Sequence, residues 1–303
     1  MKLFLIKICI FCLLFISVTS LLIAFVIYRE KNRTSLIIPL DKTILLIGDS
    51  HPACSVNDSI LKNTFNLSKG GTTYFETYLK LKRVLETNKN INTVILGYSY
   101  GDLSKYRDKW IKDPAKAKKL FTSWLYLFDL QLFLSYLYEN PSGTLINFPK
   151  SIRYGMNSML HSRPKENKIS EFGGYHKLNG SKLRIAKEKF LIRDKSFDLK
   201  VSEFQLKYLI KIYKLVLAKN KKLILLNTPI HPIAEKDHAP LKPFYFSVVK
   251  DKLPKAALIN HSNMYLPEEY FSDLDHLNFK GAKFYSEWLL KFGYVNLNSS
   301  NKP

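Results

Sequence analysis

Residues 8–28, ICIFCLLFISVTSLLIAFVIY, run for 21 positions without a charge. As a helix such a run is about 30 Å long, the thickness of a bilayer's hydrocarbon core. Lys2 and Lys7 precede it, and Arg29, Lys31 and Arg33 follow. A cleaved leader has a shorter apolar stretch closed by a small-x-small site. Here the run continues to Tyr28 and ends in REKNR, which favours an uncleaved single-pass anchor over 1–33. A linker over 34–41, a folded domain over 42–293 and a tail over 294–303 follow, with a partly apolar insertion at 101–165. Basic residues flank the anchor on both sides, so charge leaves its orientation open. With so short a segment ahead of the anchor, the domain is expected to be extracytoplasmic.

The anchor narrows what the charge means. The chain carries 47 Lys and Arg against 25 Asp and Glu, a net +22. Such an excess attracts polyanions. A tethered, exported chain is expected to meet anionic lipid or an anionic cell-surface polymer, with no nucleic acid among its partners. Residues 141–225 hold +13 of that charge, and within them 200–219 reads as an amphipathic helix with Lys207, Lys211 and Lys214 on one polar face. That face is either a polyanion-binding surface or a solvated one. Three cysteines supply neither a disulfide framework nor a Cys-rich metal site. Cys9 and Cys12 read as membrane residues, leaving Cys54 alone in the folded part. Neither a metal nor a cofactor is expected.

Short apolar runs rich in branched residues mark buried strands at TILLI (43–47), TVIL (93–96), KLILLN (222–227) and ALI (257–259). Helical spacing marks 73–88, 242–252 and 279–291, and 55–63 reads as a short helix. The nearly apolar stretch 120–138, with Asp129 its only charge, is long enough for a second span but reads better as a buried or interfacial helix, because aromatic residues and Gln131 interrupt it and a second span would put the sequence blocks at the sheet edge on opposite sides of the membrane. Alternating strands and helices predict an α/β domain with a mostly parallel sheet. In such sheets ligands bind off the carboxyl ends of the strands. That rule collects GDSH (48–51), the loop after Gly97 and TPIHP (228–232) at one edge.

Ser50 follows a strand directly, and Asp273-Leu-Asp-His276 precedes the last helix. A serine nucleophile needs a base, and the base needs a carboxylate to fix its tautomer. Asp273 and His276 are close enough in sequence to pair. Taken singly, Ser after Asp is common in turns and Asp-x-x-His is common by chance. Together, ILLIGDSH and DLDHLNFKGAKFYSEWL resemble the SGNH/GDSL hydrolase superfamily over residues 43–291. The resemblance implies a three-layer α/β/α domain with Ser50 as nucleophile, His276 as base and Asp273 as the acid that orients it. It also implies an oxyanion hole built from the Ser50 N–H, a backbone N–H of Gly70 or Gly71 in NLSKGGTTY, and an Asn side chain. That Asn is absent: the chain reads Gly97-Tyr98-Ser99-Tyr100, leaving Ser99, or the neighbouring tyrosines, to donate in its place. His51, Tyr98 and His231 are candidate substrate contacts.

Anchored members of this superfamily remove or transfer O-acetyl groups on surface polysaccharides. The resemblance therefore implies a serine esterase or O-acyltransferase working on an acylated cell-envelope glycan or glycolipid. A transferase would draw on a membrane acyl-donor protein as partner. The competing expectation, raised by the missing Asn and the basic segment, is a catalytically weak accessory or polyanion-binding protein of the cell envelope.

Overall fold

The computed structural model describes residues 1–160, 166–180, 182, 187 and 200–292. The expected tail at 294–303 and parts of the basic segment 141–225 lie outside them. In chain order the elements are α1 (Lys2–Arg33), β1 (Thr34–Ser35), β2 (Ile44–Ile47), α2 (Ser50–Ser55), β3 (Thr64–Asn66), α3 (Tyr74–Thr87), β4 (Thr93–Gly97), α4 (Asp108–Lys112), α5 (Pro114–Trp124), α6 (Leu130–Glu139), α7 (Pro141–Leu160), β5 (Glu166–Asn167), α8 (Glu203–Ala218), β6 (Lys222–Asn227), α9 (Pro232–Asp237), α10 (Lys242–Lys252), β7 (Ala257–Asn260) and α11 (Phe279–Lys291). The chain divides into two compact units, Met1–Ser35 with Ile111–Lys168, and Leu36–Trp110 with Ile169–Pro303.

The second unit is an α/β layer structure. Its five strands form one parallel sheet in the order β3-β2-β4-β6-β7. Side chains alternate across a strand. Ile44, Leu46, Ile95, Ile224 and Leu226 therefore share one face, where they join Tyr285 and Leu289 of α11 in a single core. Leu45, Val94, Leu96, Leu223 and Leu225 point to the other face and are also buried; on that side α3 and α8 pack together. Helix α3 starts where Thr73 and Glu76 cap each other, the Thr73 N–H donating to Glu76 Oε2 at 2.8 Å. Between β2 and β4 the chain switches the direction in which it adds strands, and such a switch opens a crevice beyond the strand ends.

Three local readings need correction here. The helix expected at 55–63 is absent from that span: the helix here runs Ser50–Ser55, because Asp49 rather than Ser55 provides the N-cap, and it ends where the expected one starts. The edge strand β3 escapes a pattern search because it is only three residues long and its middle residue alone is large and apolar. Residues 36–41 are not a free tether: Leu36 and Ile38 are fully buried. Asn88 pins them, accepting from the Ile38 N–H and donating to the Leu36 carbonyl, both at 2.7 Å.

The first unit holds α1 with the helices α5, α6 and α7 and the short parallel pair β1–β5. The apolar stretch 120–138 is not one helix. It breaks after Trp124, and Asp129 starts α6 by accepting from the Leu132 N–H at 2.8 Å. Phe121, Phe128, Phe133, Tyr136 and Phe148 pack ring against ring around that break. Among the described residues α1 is the one helix long and apolar enough to cross a membrane.

Candidate active site

The site forms at the carboxyl ends of β2 and β4, and two glycines set its floor. A Cβ on Gly48 or on Gly97 would stand 2.8 Å from Pro52 Cγ. Only bare backbone at both strand ends lets α2 sit this low. Asp49 caps the helix by accepting from the His51 N–H at 3.0 Å, and Ser50 is its first residue. The loop after β3 is drawn over the same point. The Lys69 N–H and the Thr72 hydroxyl both donate to the Gly48 carbonyl, at 3.0 and 2.9 Å. As a result a Cβ on Gly70 would lie 3.8 Å from Ser50 Cβ. Among the described residues nothing accepts from the Gly70 N–H. Gly71 turns the loop at φ 69°, in the left-handed region.

The far end of the sequence reaches this place through the loop before α11. Asn278 caps α11, accepting from the Lys280 and Gly281 N–H groups while its amide donates to the Glu269 and Phe271 carbonyls. Gly281 permits the close pass beneath: a Cβ there would meet the Tyr270 carbonyl at 2.3 Å. These contacts are the physical content of the HLN-x-x-G pattern. Inside the loop, Asp273 Oδ1 accepts from the Asp275 and His276 N–H groups, each at 2.9 Å. The Asp273 carboxylate also faces His276 Nδ1, at 2.9 and 3.0 Å from its two oxygens. Burial opposes the Asp273 charge, but the hydrogen bond and charge of His276 outweigh it and hold this carboxyl below its usual range. With Nδ1 on the carboxylate, Nε2 is the nitrogen left to take up a proton. Nε2 is buried and, among the described residues, makes no hydrogen bond.

His51 brings the two ends together. Its ring lies 5.4 Å from that of His276, tilted by 37°. Its Nδ1 stands 3.2 Å from both oxygens of Asp49. Burial works against a charge on His51, yet the Asp49 carboxylate prevails, with smaller help from Asp275 and Asp102, and pushes its pKa up to about 9. Behind it lies a buried ionic network. Arg107 donates to Asp49 Oδ2 at 2.7 Å and also to Asp102. Asp102 accepts from the Ser99 N–H at 2.6 Å and the Tyr74 hydroxyl at 3.2 Å. Burial resists the charge of Asp49, but His51 and Arg107 hold its carboxyl well below the ordinary value. Asp102 moves the other way, raised by burial and by the Asp49 charge beside it. A cavity of about 10 Å³, room for one water, lies against Asp49, Tyr74, Asp102, Arg107 and Gln205. The Gln205 amide nitrogen is buried without a partner.

Of the residues singled out in the sequence, the structure sets Gly70 beside Ser50, and His51, the residue after Ser50, beside the Asp273–His276 pair; His276 Nε2 is not hydrogen-bonded to the Ser50 hydroxyl. Tyr98 does not join them. It is fully buried, stacks on Tyr245 with centroids 4.3 Å apart, and donates its hydroxyl to the Tyr245 carbonyl. Ser99 is buried at the end of β4 with its N–H engaged by Asp102. His231 caps α9: its Nδ1 accepts from the Ile233 N–H at 3.2 Å, and Nε2 is 3.6 Å from Glu268. Burial, with the charge of Lys187, lowers the pKa of His231, against the opposing charge of Glu268. Its backbone does bear on the site, since the His231 N–H donates to the Leu274 carbonyl inside the Asp273–His276 loop. Cys54, on α2, is buried, which pushes its thiol up to about 12.

Sequence reading missed Asp49, Asp102 and Arg107. Asp49 was in view as part of GDS, but Arg107 is one basic residue among 47 and lies 58 positions from the carboxylate it pairs with.

Comparison with solved structures gives likenesses at low sequence identity. The chain is similar to a Streptococcus pneumonia protein whose description names platelet activating factor, at 11% identity, covering 89% of this chain and 91% of that one with a TM-score of 0.43. It is similar to a GDSL-like lipase from Bacteroides thetaiotaomicron, again at 11% identity, covering 89% and 95% with a TM-score of 0.40. An acetyl xylan esterase from the rumen bacterium Butyrivibrio proteoclasticus is 9% identical over 86% of this chain and 65% of its own, with a TM-score of 0.31. No curated protein matches the chain in sequence. A family model that names no activity matches residues 166–292.

Proposed function

We propose that this chain is a membrane-anchored serine esterase or O-acyltransferase that works through an acyl-serine intermediate on an acylated cell-envelope glycan or glycolipid. The observation that supports the reading is the Asp273–His276 pair, which leaves Nε2 unbonded and whose imidazole lies 5.4 Å from the ring of His51, the residue next to Ser50. In the first half-reaction His276 Nε2 takes the Ser50 proton as Oγ attacks the ester carbonyl. The imidazolium then gives that proton to the departing alkoxide. The Ser50 and Gly70 N–H groups hold the negative oxygen of the tetrahedral intermediate. In the second half-reaction water or a sugar hydroxyl loses its proton to His276 and takes the acyl group from Ser50. Asp273 holds the tautomer throughout. The sequence resemblance supports the ester class; the anchor and the basic surface support a substrate at the cell envelope.

A chromogenic acetyl ester tests this reading: turnover by the full chain, lost on Ser50→Ala, is the expected result. Equal turnover by the variant would overturn it.

One observation favours the second reading, a catalytically weak accessory protein. The loop after β4 offers no Asn, and the Ser99 N–H already serves Asp102. An oxyanion donor is worth about 2.7–4 kcal/mol of barrier, so a site lacking one is slow. A chain that turns over no ester and resists a serine-reactive phosphonate would be this binder.

A further inference from the structure

We infer that the helices α6 and α7 lie in the lipid interface beside the anchor, with their exposed apolar stripes among the acyl chains of the leaflet where α1 ends. The inference rests on reading α1 as a membrane anchor.

The argument starts from where the first unit touches α1. Thr19, Ile23 and Ile27 are half-buried and Val26 fully so. Their spacing puts them on one side of the helix. All four belong to the charge-free run 8–28. They occupy its last ten positions, a length of about 15 Å at 1.5 Å per residue, which is half the hydrocarbon thickness. Helix α7 packs here: a Cβ on Gly155 would be 2.4 Å from Val26 Cγ1. The turn at Leu125–Leu127, between α5 and α6, packs on α1 as well. If α1 spans the bilayer along its apolar run, whatever covers Val26 sits at membrane depth and not above the headgroups.

The outer surface of the same helices suits that position. On α6, Leu130, Leu134 and Tyr138 follow at steps of four and are 73, 52 and 85% exposed. On α7, Leu145 and Ile146 are 68 and 57% exposed. In water such stripes would be a liability. At the boundary of headgroups and acyl chains an amphipathic helix buries its apolar face by about 5–10 Å. Lys150 and Arg153, exposed further along α7, would then meet anionic headgroups. A membrane protein partner could cover the same stripes, but the packing on Val26 already brings them to lipid without one.

The test uses the full chain with C9S and C12S, leaving buried Cys54. Single cysteines V18C, L134C and I146C are each labelled with an environment-sensitive fluorophore and reconstituted into vesicles of phosphatidylcholine and phosphatidylglycerol. The quenchers are two nitroxide lipids, one labelled high on the acyl chain for L134C and I146C and one labelled near the chain terminus for V18C, and the free dye–cysteine conjugate in the same suspension gives the reference. The expected result is at least a twofold loss of emission at all three positions, with L134C and I146C blue-shifted from the reference. If V18C is quenched while L134C and I146C behave like the reference, the inference is overturned and the anchor stands; the stripes then face water or a protein partner. If V18C is not quenched either, the anchor reading fails and takes the inference with it.

Discussion

Two histidine–carboxylate pairs stand side by side at the carboxyl end of the sheet, Asp273–His276 and Asp49–His51, and they are built for different work. In the first, the carboxylate is tied to its own loop, accepting from two N–H groups within three residues. It is partly open to solvent, and its histidine keeps an unbonded Nε2. In the second, the carboxylate is buried and already bound to Arg107, which is itself shared with Asp102. Its histidine has its pKa raised to about 9 by the Asp49 carboxylate, against the opposing effect of burial. A base that must gain and lose a proton every cycle needs the first arrangement. The second fixes a cation and locks the base of α2. Chemically similar pairs thus differ in what the carboxylate touches on its other side: the proposed mechanism uses Asp273–His276 as its proton carrier, and Asp49–His51 stands in the buried ionic network.

The largest effects should come from the first pair. Ser50→Ala or His276→Ala should each lower turnover of a small acetyl ester about 10⁴-fold or more, and the double variant should be no more than severalfold worse, because such residues act as a unit. Additive losses would mean that the two do not share a mechanism.

Next in size, Arg107→Met should cost about 3–5 kcal/mol of stability by removing the cation that two buried carboxylates share, leaving Asp49 with His51 and Asp102 with neutral donors, read as a fall in the denaturation midpoint. The two aspartates should then separate. Asp273→Asn should cut turnover and barely move that midpoint, whereas Asp49→Asn should lower the midpoint. Equal effects on both readouts would erase the distinction between the pairs.

The smallest effect is a pH window. The pKa of His51 rises on folding from 6.5 to about 9. A raised pKa means the folded state holds the proton more tightly, so this stabilisation is complete below pH 6.5 and is lost as pH climbs through 9. Asp49, Asp102 and Asp275 face the ring as the groups that sustain its charge. His51→Gln should flatten the decline in thermal midpoint between those limits. A variant that declines as steeply as the parent would show that His51 carries no such charge.

What could be read in advance followed locality. Strands β2, β4 and β6 announced themselves because four to six buried branched residues in a row leave little else for them to be. Asp273 and His276 were visible as partners because one turn of loop joins them. Tyr98 misled because an aromatic residue after a strand end serves a core as well as a ligand, and only the stacking on Tyr245 decides. His231 looks aimed because it stands between two prolines, and the sequence did not show that its Nδ1 caps a helix. Arg107 was hidden because its meaning lies in a contact far away in sequence. The break at Asp129 was present in the sequence as a lone acidic residue in an apolar stretch, which is what an N-cap looks like.

The central claim is that Ser50 is a nucleophile served by His276. Labelling of the intact chain with a fluorophosphonate, with the modified peptide located by mass spectrometry, tests it most directly. The account predicts one label per chain, on Ser50, abolished in Ser50→Ala and reduced at least a hundredfold in rate in His276→Ala. A chain that takes no label, or takes it on another serine, or labels Ser50 equally fast without His276, would contradict it.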